Sequence, residues 1–313
     1  MQRRPGHPHE NADVSECGDM IQVASTEEPP SNAGDLVSIV IPTHGRPDMV
    51  RQSVESALKQ SHGNVEVIVI DDAGTPCAPQ DWADTRARTI RLQENKGVAA
   101  ARNLGAQSAR GSWLVFLDDD DALDEKFLEQ TLRLGTTQSA EIVTCWSGPM
   151  GRPSQAREGR RLNGNVHNQI IDGIAPHLGA TLVRRDAWRS FDERYRACQD
   201  LEWWLRVSQA SKVLTLPQYL HLWREHDGER HGNGTRARIA FSKQLIEEHH
   251  NYFESHPRAL AFRWYRIAVM HARLGEQGAS RDALIRCIRQ GRSDWLLRAA
   301  VRYARSAVYR KTW

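Results

Sequence analysis

The stretch SWLVFLDDDD, Ser112 to Asp121, decides the fold. Its apolar first half predicts a buried strand that ends where four consecutive carboxylates begin. Adjacent anions repel, and each raises the pKa of its neighbours unless a cation is bound. Oxygen-only ligands favour a hard divalent ion, Mg²⁺ or Mn²⁺. The alternative from these residues alone is a solvated acidic turn that caps a helix starting near Leu123.

Two further apolar runs lie upstream, and both end in polar residues. Val37 to Pro42 is followed by Thr43-His44-Gly45-Arg46, and Val65 to Ile70 closes on Asp71-Asp72. Between them, Pro47 is predicted to start a helix. Strand, helix and strand with short connections predict a parallel sheet, whose carboxyl-terminal edge is where ligands bind. Polar groups at three strand ends therefore favour a metal site over an acidic turn.

A helix is predicted from Val98 to about Ala109, directly before the acidic strand, and it contains Arg102. Because Arg102 lies just ahead of the acidic strand end in the sequence, it is placed to balance a bound phosphate. The alternative is an ion pair on the helix surface, which stabilises a protein little.

Three blocks of the sequence resemble the signature blocks of the family 2 glycosyltransferases with the GT-A fold. They are VSIVIPTHGR (Val37 to Arg46), VEVIVIDDAG (Val65 to Gly74) and NKGVAAARNLGAQSARGSWLVFLDDDD (Asn95 to Asp121), in the family's order and spacing. The match extends to about His226. The resemblance implies an α/β GT-A fold, Rossmann-like, with a mixed, mostly parallel sheet flanked by helices.

The resemblance also implies roles for residues at the strand ends. The metal-binding D-x-D corresponds to Asp118 and Asp120, with Asp120 the implied direct ligand of Mn²⁺ or Mg²⁺, and His226 lies where related enzymes place a further metal or diphosphate contact. A single histidine is otherwise usually structural or exposed. A metal and an arginine together neutralise the charge of a diphosphate leaving group. The implied donor nucleotide-binding residues are Pro42, Thr43, Arg46, Asp71, Asp72, Arg102, Asp118 and Asp119.

The acceptor side is implied by FDERYRACQDLEWWLRV, Phe191 to Val207. The family has a Glu-Asp pair at the start of a helix, and its Asp is the general base. This chain has Gln199-Asp200, so Asp200 is the candidate base and Gln199 and Trp203 are predicted on the acceptor side. An Asp at a helix start is, by itself, equally explained as a cap. The missing carboxylate at position 199 is expected to leave Asp200 more acidic.

These features predict a metal-dependent, inverting, non-processive glycosyltransferase. It would move one sugar from a nucleotide-diphosphate donor, with UDP expected, to a glycan or polyprenyl-linked acceptor, as in bacterial surface polysaccharide assembly. The Q-x-x-R-W acceptor motif of processive synthases is absent after Asp200, and neither G-x-G-x-x-G nor G-x-x-x-x-G-K-[ST] occurs, which argues against dehydrogenases and P-loop enzymes. The alternative is a degenerate transferase that acts as a nucleotide-sugar binding or scaffold module.

Composition divides the chain into three regions. Residues 1–35 are polar and aperiodic and are predicted to be a disordered tail, residues 36–236 the GT-A domain, and residues 237–313 a basic, all-helical C-terminal region. From Arg258 onward there are 13 Lys or Arg against three acidic residues. The last helix, near Asp294 to Tyr309, therefore either contacts an anionic membrane surface or is an ordinary arginine-rich surface. No nucleic-acid motif accompanies this charge.

The sequence predicts a cytoplasmic protein, with peripheral contact on the inner face of the membrane as the second interpretation. No apolar run approaches the roughly 20 residues that span a bilayer. The five cysteines are scattered and include no C-x-x-C, which argues against a zinc site and against a disulfide framework.

Overall fold

The computed structural model describes residues 35–156, 159, 161–170, 175–225 and 234–290. One sheet runs through the part of the chain from Val37 to Trp223. Its described strands are β1 (Val37–Thr43), β2 (Val65–Asp71), β3 (Ala87–Arg91), β4 (Trp113–Phe116), β5 (Asp121–Leu123), β6 (Ile142–Pro149), β7 (Asn163–Asn165), β8 (Thr181–Arg184) and β9 (Lys212–Trp223).

The strand order is β3-β2-β1-β4-β8-β6-β9-β5, and β7 pairs with β9 outside this path. The first four strands in this order are parallel neighbours, and β6 and β9 point in the same direction as they do. β5, β7 and β8 run the opposite way. The described sheet is thus mixed and mostly parallel, as predicted.

Helices cover the sheet and continue beyond it. α1 begins at a proline, whose fixed φ suits the first helical position. The described helices are α1 (Pro47–Leu58), α2 (Val98–Ser108), α3 (Phe127–Thr137), α4 (His167–Ile170), α5 (Gln199–Val207), α6 (Thr235–Glu248), α7 (His250–Ser255), α8 (Pro257–Arg273) and α9 (Gln277–Arg289).

The central strands are buried on both faces, because helices pack on each side of the sheet. Every residue of β1 and β2 is buried, and alternate residues contribute to two separate apolar clusters. Val40 and Ile68 pack toward one side, and Ile39 and Val67 toward the other. This packing fixes the strand ends, and with them the polar residues that follow each strand.

One local prediction is wrong. The helix expected near Leu123 begins only at Phe127, because Asp121–Leu123 pairs antiparallel with the far end of β9 as strand β5. The cause is that the strand that pairs with β5 lies about 100 residues away in the chain, so the local sequence pattern does not predict the pairing.

The C-terminal helices share a core with the sheet domain. Leu245 of α6 and Phe253 of α7 belong to the same apolar cluster as Trp203 and Trp204 of α5. The boundary predicted between residues 236 and 237 stays a prediction, although apolar contacts cross it. The last predicted helix, residues 294–309, and residues 1–34 of the predicted tail lie outside the described residues. Among the described helices, none is both long and apolar enough to cross a membrane.

Candidate active site

The acidic stretch after β4 forms a cluster of carboxylates at the carboxyl-terminal edge of the parallel strands. Oxygen atoms of Asp118, Asp120 and Asp121 lie within 4.8 Å of one another. Three carboxylates at this spacing form a ligand set that suits a hard divalent cation. The residues therefore fit the predicted Mn²⁺ or Mg²⁺, and Asp121 joins the two residues of the D-x-D.

Two arginines compensate part of this charge. Nη2 of Arg102 donates to Oδ1 of Asp118 at 2.6 Å, and Nη1 of Arg46 lies 3.2 Å from Oδ2 of Asp120. Burial by itself would raise the pKa of Asp118, but the charge and hydrogen bond of Arg102 outweigh it and hold that pKa below its usual value. Asp118 is therefore ionised at neutral pH.

Asp119 is not one of the three clustered carboxylates. Its Oδ2 accepts a hydrogen bond of 2.6 Å from the hydroxyl of Thr43, and its Oδ1 lies 3.0 Å from Nη1 of Arg46. Burial raises the pKa of Asp119 to about 6. The structure thus brings three predicted donor residues together, with Asp119 holding Thr43 and Arg46 in place.

Asp71 and Asp72 bind the loops that follow their strand. Asp71 is fully buried, and its oxygens accept hydrogen bonds from the backbone N–H groups of Gly74 and Ala78 at 2.8 and 3.0 Å. Asp72 accepts from the backbone N–H groups of Lys96 and Gly97 at 2.7 and 2.8 Å. Both carboxylates therefore shape the loops at the predicted nucleotide site. Buried Pro42 lies beside Ile70 in the sheet.

Arg102 is a buried cation with unused donors. The residue is only 4% exposed, and its Nε and Nη1 have no hydrogen-bond partner among the described residues. Its guanidinium lies 5.6 Å from the ring centroid of Phe191. Unpaired donors on a buried charge are costly, so this arrangement indicates a place for an anionic ligand.

A buried histidine that the sequence analysis missed supports Asp121. Nε2 of His221 lies 3.0 Å from Oδ2 of Asp121, and Nδ1 lies 3.0 Å from the hydroxyl oxygen of Ser147. A Cβ at Gly179 would lie 2.6 Å from Nε2, so the close approach requires glycine. His221 and Asp121 are 100 residues apart and meet through the pairing of β5 with β9, which no sequence motif reports.

Asp200 lies in the first turn of α5 and is exposed. The N-cap is Cys198, and its side chain makes no capping hydrogen bond, so capping does not account for the acidic residue two positions later. Cys198 adopts a left-handed conformation, φ 63° and ψ 13°. Such backbone strain costs about 1–3 kcal/mol and is concentrated at functional sites.

His177 links the acidic cluster to Asp200 and was also missed. Its ring stacks on His221 with centroids 5.4 Å apart. Burial and the neighbouring His221 lower the pKa of His177, whereas the charges of Asp121, Asp118 and Asp200 act to raise it. The charges of the acidic cluster and of Asp200 therefore both act on this one imidazole.

Trp203 does not line an acceptor surface. It is fully buried, its Nε1 donates to the carbonyl oxygen of Arg189 at 2.7 Å, and its ring stacks on Phe191. Its predicted place on the acceptor side is therefore corrected to a core position, because α5 is buried over most of its length. Gln199 remains at the helix start, with a buried Oε1 that has no partner among the described residues. His226 lies outside the described residues.

Comparison with known proteins identifies the family. The model of the glycosyl transferase family 2 matches residues 38–168. The putative teichuronic acid biosynthesis glycosyltransferase TuaG of Bacillus subtilis (strain 168) is 31% identical over 190 residues, which are 56% of this chain and 73% of that protein. The chain belongs to glycosyl transferase family 2. The enzyme class predicted from the sequence is confirmed by this membership.

Other relatives match a smaller share of their length. The succinoglycan biosynthesis protein ExoO of Rhizobium meliloti (strain 1021) is 35% identical over 110 residues, which are 34% of this chain and 32% of that protein. The glycosyltransferase GlyG of Streptococcus pneumoniae serotype 4 (strain ATCC BAA-334 / TIGR4) is 33% identical over 115 residues, 35% of this chain and 38% of that protein. The chain thus spans about a third of the length of these two relatives.

Solved structures of glycosyltransferases confirm the GT-A fold. S. aureus TarS matches with a TM-score of 0.61 and 17% identity, over 87% of this chain and 53% of that one. The mannosyltransferase PcManGT from Pyrobaculum calidifontis, in complex with GDP-Man and Mn²⁺, matches with a TM-score of 0.55 and 17% identity, over 90% of this chain and 85% of that one. At these identities the likeness shows the fold alone.

Proposed function

We propose that this chain transfers one sugar from a nucleotide-diphosphate donor to an acceptor hydroxyl during assembly of a surface polysaccharide. The observation that carries the proposal is Arg102, a buried guanidinium with two unpaired nitrogens beside the carboxylate cluster. The names of two relatives, which refer to teichuronic acid and succinoglycan biosynthesis, support the polysaccharide. UDP is the first donor nucleotide to test, because one TarS structure contains UDP-GlcNAc.

The donor end of the reaction uses the carboxylate cluster and the arginines. Asp118, Asp120 and Asp121 would hold Mn²⁺ or Mg²⁺, which neutralises charge that develops on a diphosphate leaving group. Arg102 donates its unpaired N–H groups to phosphate oxygens, which adds to the same electrostatic stabilisation. Asp71 and Asp72 hold the loops against which the nucleotide base lies.

The acceptor end of the reaction uses Asp200. Its exposed carboxylate takes the proton of the acceptor hydroxyl while the hydroxyl oxygen forms a bond to the anomeric carbon of the donor sugar. The bond between that carbon and the diphosphate oxygen breaks, and its electron pair leaves with the diphosphate. Attack on the face opposite the leaving group inverts the anomeric configuration. Gln199 accepts a hydrogen bond from the acceptor through its unpartnered Oε1.

The test is nucleotide release from UDP-GlcNAc, UDP-glucose and GDP-mannose, each with and without Mn²⁺. We expect the native protein to release nucleotide from one donor in a metal-dependent reaction. Asp200→Asn is expected to lose about 10²- to 10⁴-fold in rate, the usual contribution of a general base. Asp81→Asn, at an exposed loop position, is the matched control and is expected to retain the native rate.

Two results would contradict parts of this proposal. Release by Asp200→Asn at the native rate would remove Asp200 from the role of base. Metal-dependent nucleotide binding without release from any donor, in the native protein, would support the alternative of a nucleotide-sugar binding module.

A further inference from the structure

A second buried arginine, Arg263 of α8, forms no salt bridge with the described residues. It is 8% exposed and makes no hydrogen bond or ion pair with any described residue. Its guanidinium lies 5.4 Å from the ring centroid of Phe262, and its Nε is completely enclosed. A buried charge without a partner destabilises a protein, so such a residue calls for a ligand.

The guanidinium groups of Arg263 and Arg266 lie 5.4 and 5.9 Å from the ring centroid of Phe262. Cys198, at the start of α5, has its Sγ 3.8 Å from the hydroxyl oxygen of Ser242 on α6, and α6 packs on α8. Burial lowers the pKa of Arg263 to about 10, and Cys198, Arg266 and Asp200 are among the groups that act on it electrostatically. Arg266, one turn later on α8, also acts on Cys198. Arg263 remains protonated at neutral pH, so a full positive charge lies close to the candidate base.

The groups around Arg263 do not neutralise this charge. Burial and the charge of Asp200 raise the pKa of Cys198, so its thiol stays neutral. Asp200 is exposed, and its negative charge and the positive charge of Arg266 both act on Arg263. The summed charge of Arg263, Arg266 and Asp200 is positive, whereas the acidic cluster on the donor side is negative.

We propose that Arg263 and Arg266 bind an oxyanion substituent of the acceptor, next to the hydroxyl that Asp200 deprotonates. This inference rests on the proposed function and names the class of acceptor: a glycan or lipid-linked chain that carries phosphate or carboxylate groups. Guanidinium groups bind both anions through paired N–H donors. A neutral acceptor would leave Arg263 buried and unpaired throughout the reaction.

The site is separate from the donor site. Arg102 lies on α2 and is held by Asp118, whereas Arg263 lies on α8 beside Cys198 and Asp200. An anion bound at Arg263 therefore requires neither nucleotide nor metal. This separation makes the two sites testable one at a time.

The experiment measures stabilisation by inorganic phosphate and by acetate at fixed ionic strength, in thermal unfolding, without nucleotide or metal. Arg102→Gln serves as the parent protein, because this substitution removes the anion-binding donors on the donor side. When Arg263→Gln is introduced into this parent, we expect anion binding to weaken roughly tenfold or more, which is the effect of losing a charged hydrogen-bond donor. Arg273 is exposed and lies about 15 Å further along α8. When Arg273→Gln is introduced into the same parent as a control, we expect anion binding to be unchanged.

The two anions distinguish the two sources of the ligand. Stronger stabilisation by phosphate assigns a phosphate-bearing acceptor, and stronger stabilisation by acetate a uronic acid or similar carboxylate. Equal anion binding with and without Arg263→Gln would overturn the proposal, as would the absence of stabilisation by either anion in the parent. Because the assay uses no nucleotide, failure of the proposed donor chemistry would not change its result.

A second variant separates binding from folding. Without anion, Arg263→Met is expected to raise the melting temperature of the native protein, because it removes an unpaired buried charge and keeps an apolar side chain of similar length. A lower melting temperature would show that contacts within the fold stabilise Arg263 and would contradict the premise that it is an unpaired buried charge.

Discussion

Nη2 of Arg102 donates to Oδ1 of Asp118 at 2.6 Å, while Nε and Nη1 of the same guanidinium have no partner among the described residues. The ion pair joins α2 to the acidic stretch after β4, so it fixes the guanidinium at the edge of the carboxylate cluster. The unpaired nitrogens mark the place where we expect the donor diphosphate to bind.

Arg102→Gln tests this relationship. We expect nucleotide-diphosphate binding to weaken roughly tenfold or more, because hydrogen bonds to charged groups contribute about 1.5–3 kcal/mol each. Titration calorimetry in the presence of Mn²⁺ measures the change. Arg133→Gln, at an exposed position of α3, is the control and is expected to bind like the native protein. Equal affinities in all three proteins would rule out Arg102 as a diphosphate ligand.

Asp120→Asn tests the metal cluster without any nucleotide. Because Asp120 supplies one of the three clustered carboxylates, we expect Mn²⁺ affinity to fall by roughly 100-fold or more, given that loss of an outer hydrogen-bond partner alone costs about 10- to 100-fold. Electron paramagnetic resonance of free Mn²⁺ reports the affinity. Asp81→Asn is the control. Unchanged Mn²⁺ binding in Asp120→Asn would show that the cluster is not the metal site.

Glu66 makes the stability of the fold depend on pH. Its carboxylate is buried and accepts hydrogen bonds from Ser38, from Arg88 and from the backbone N–H of Arg110. Burial acts to raise its pKa, but these partners, Arg88 first, hold the pKa below its usual value of 4.5. The contribution of ionised Glu66 to the stability of the fold is therefore complete above about pH 4.5. It is lost as the pH falls through the lowered pKa.

Glu66→Gln is expected to lose this contribution. Near pH 7 the variant should unfold with a free energy about 1–3 kcal/mol lower than that of the native protein, and the difference should shrink below pH 4. Urea unfolding at several pH values measures both quantities. Glu94→Gln, at an exposed position, is the control. A difference that grows toward acidic pH would contradict the assigned direction of the pKa shift.

Two helical glycines are expected to respond to alanine in opposite ways. A Cβ at Gly105 of α2 would lie 2.2 Å from Cγ1 of Val40 in β1, so Gly105→Ala should cost about 1–3 kcal/mol through overpacking. Gly278 of α9 has no atom within 4 Å of the added Cβ, so Gly278→Ala should stabilise by about 0.4–1 kcal/mol. Denaturant unfolding measures the free energy of unfolding of both variants and of the native protein. Equal effects would show that α2 does not pack this closely on the sheet.

The parallel half of the sheet is predictable from the sequence because each strand carries its own signal. β1, β2 and β4 are short continuous apolar runs, as expected for strands buried on both faces. α2 follows from its helical pattern between β3 and β4. The paired carboxylates Asp118 and Asp120 are found for the same reason, since they follow a strand directly.

The residues that the sequence analysis missed depend on long-range contacts. His221 meets Asp121 only because β9 runs past the acidic stretch, and His177 reaches the same place through the turn before β8. Arg263 belongs to a helix whose regular apolar pattern gave no sign of a buried charge. Trp203 was predicted on the acceptor side because the motif around Asp200 does not report that most of α5 is buried.

The most direct test of the account is thermal unfolding of the native protein with UDP, GDP, CDP and dTDP, each with and without Mn²⁺. A ligand at a hundred times its dissociation constant stabilises by about 2.7 kcal/mol, which is readily measured. We expect a metal-dependent increase in melting temperature with one nucleotide, and no increase for Asp120→Asn. No increase with any nucleotide, in the presence of Mn²⁺, would contradict a donor site at Arg102 and the carboxylate cluster.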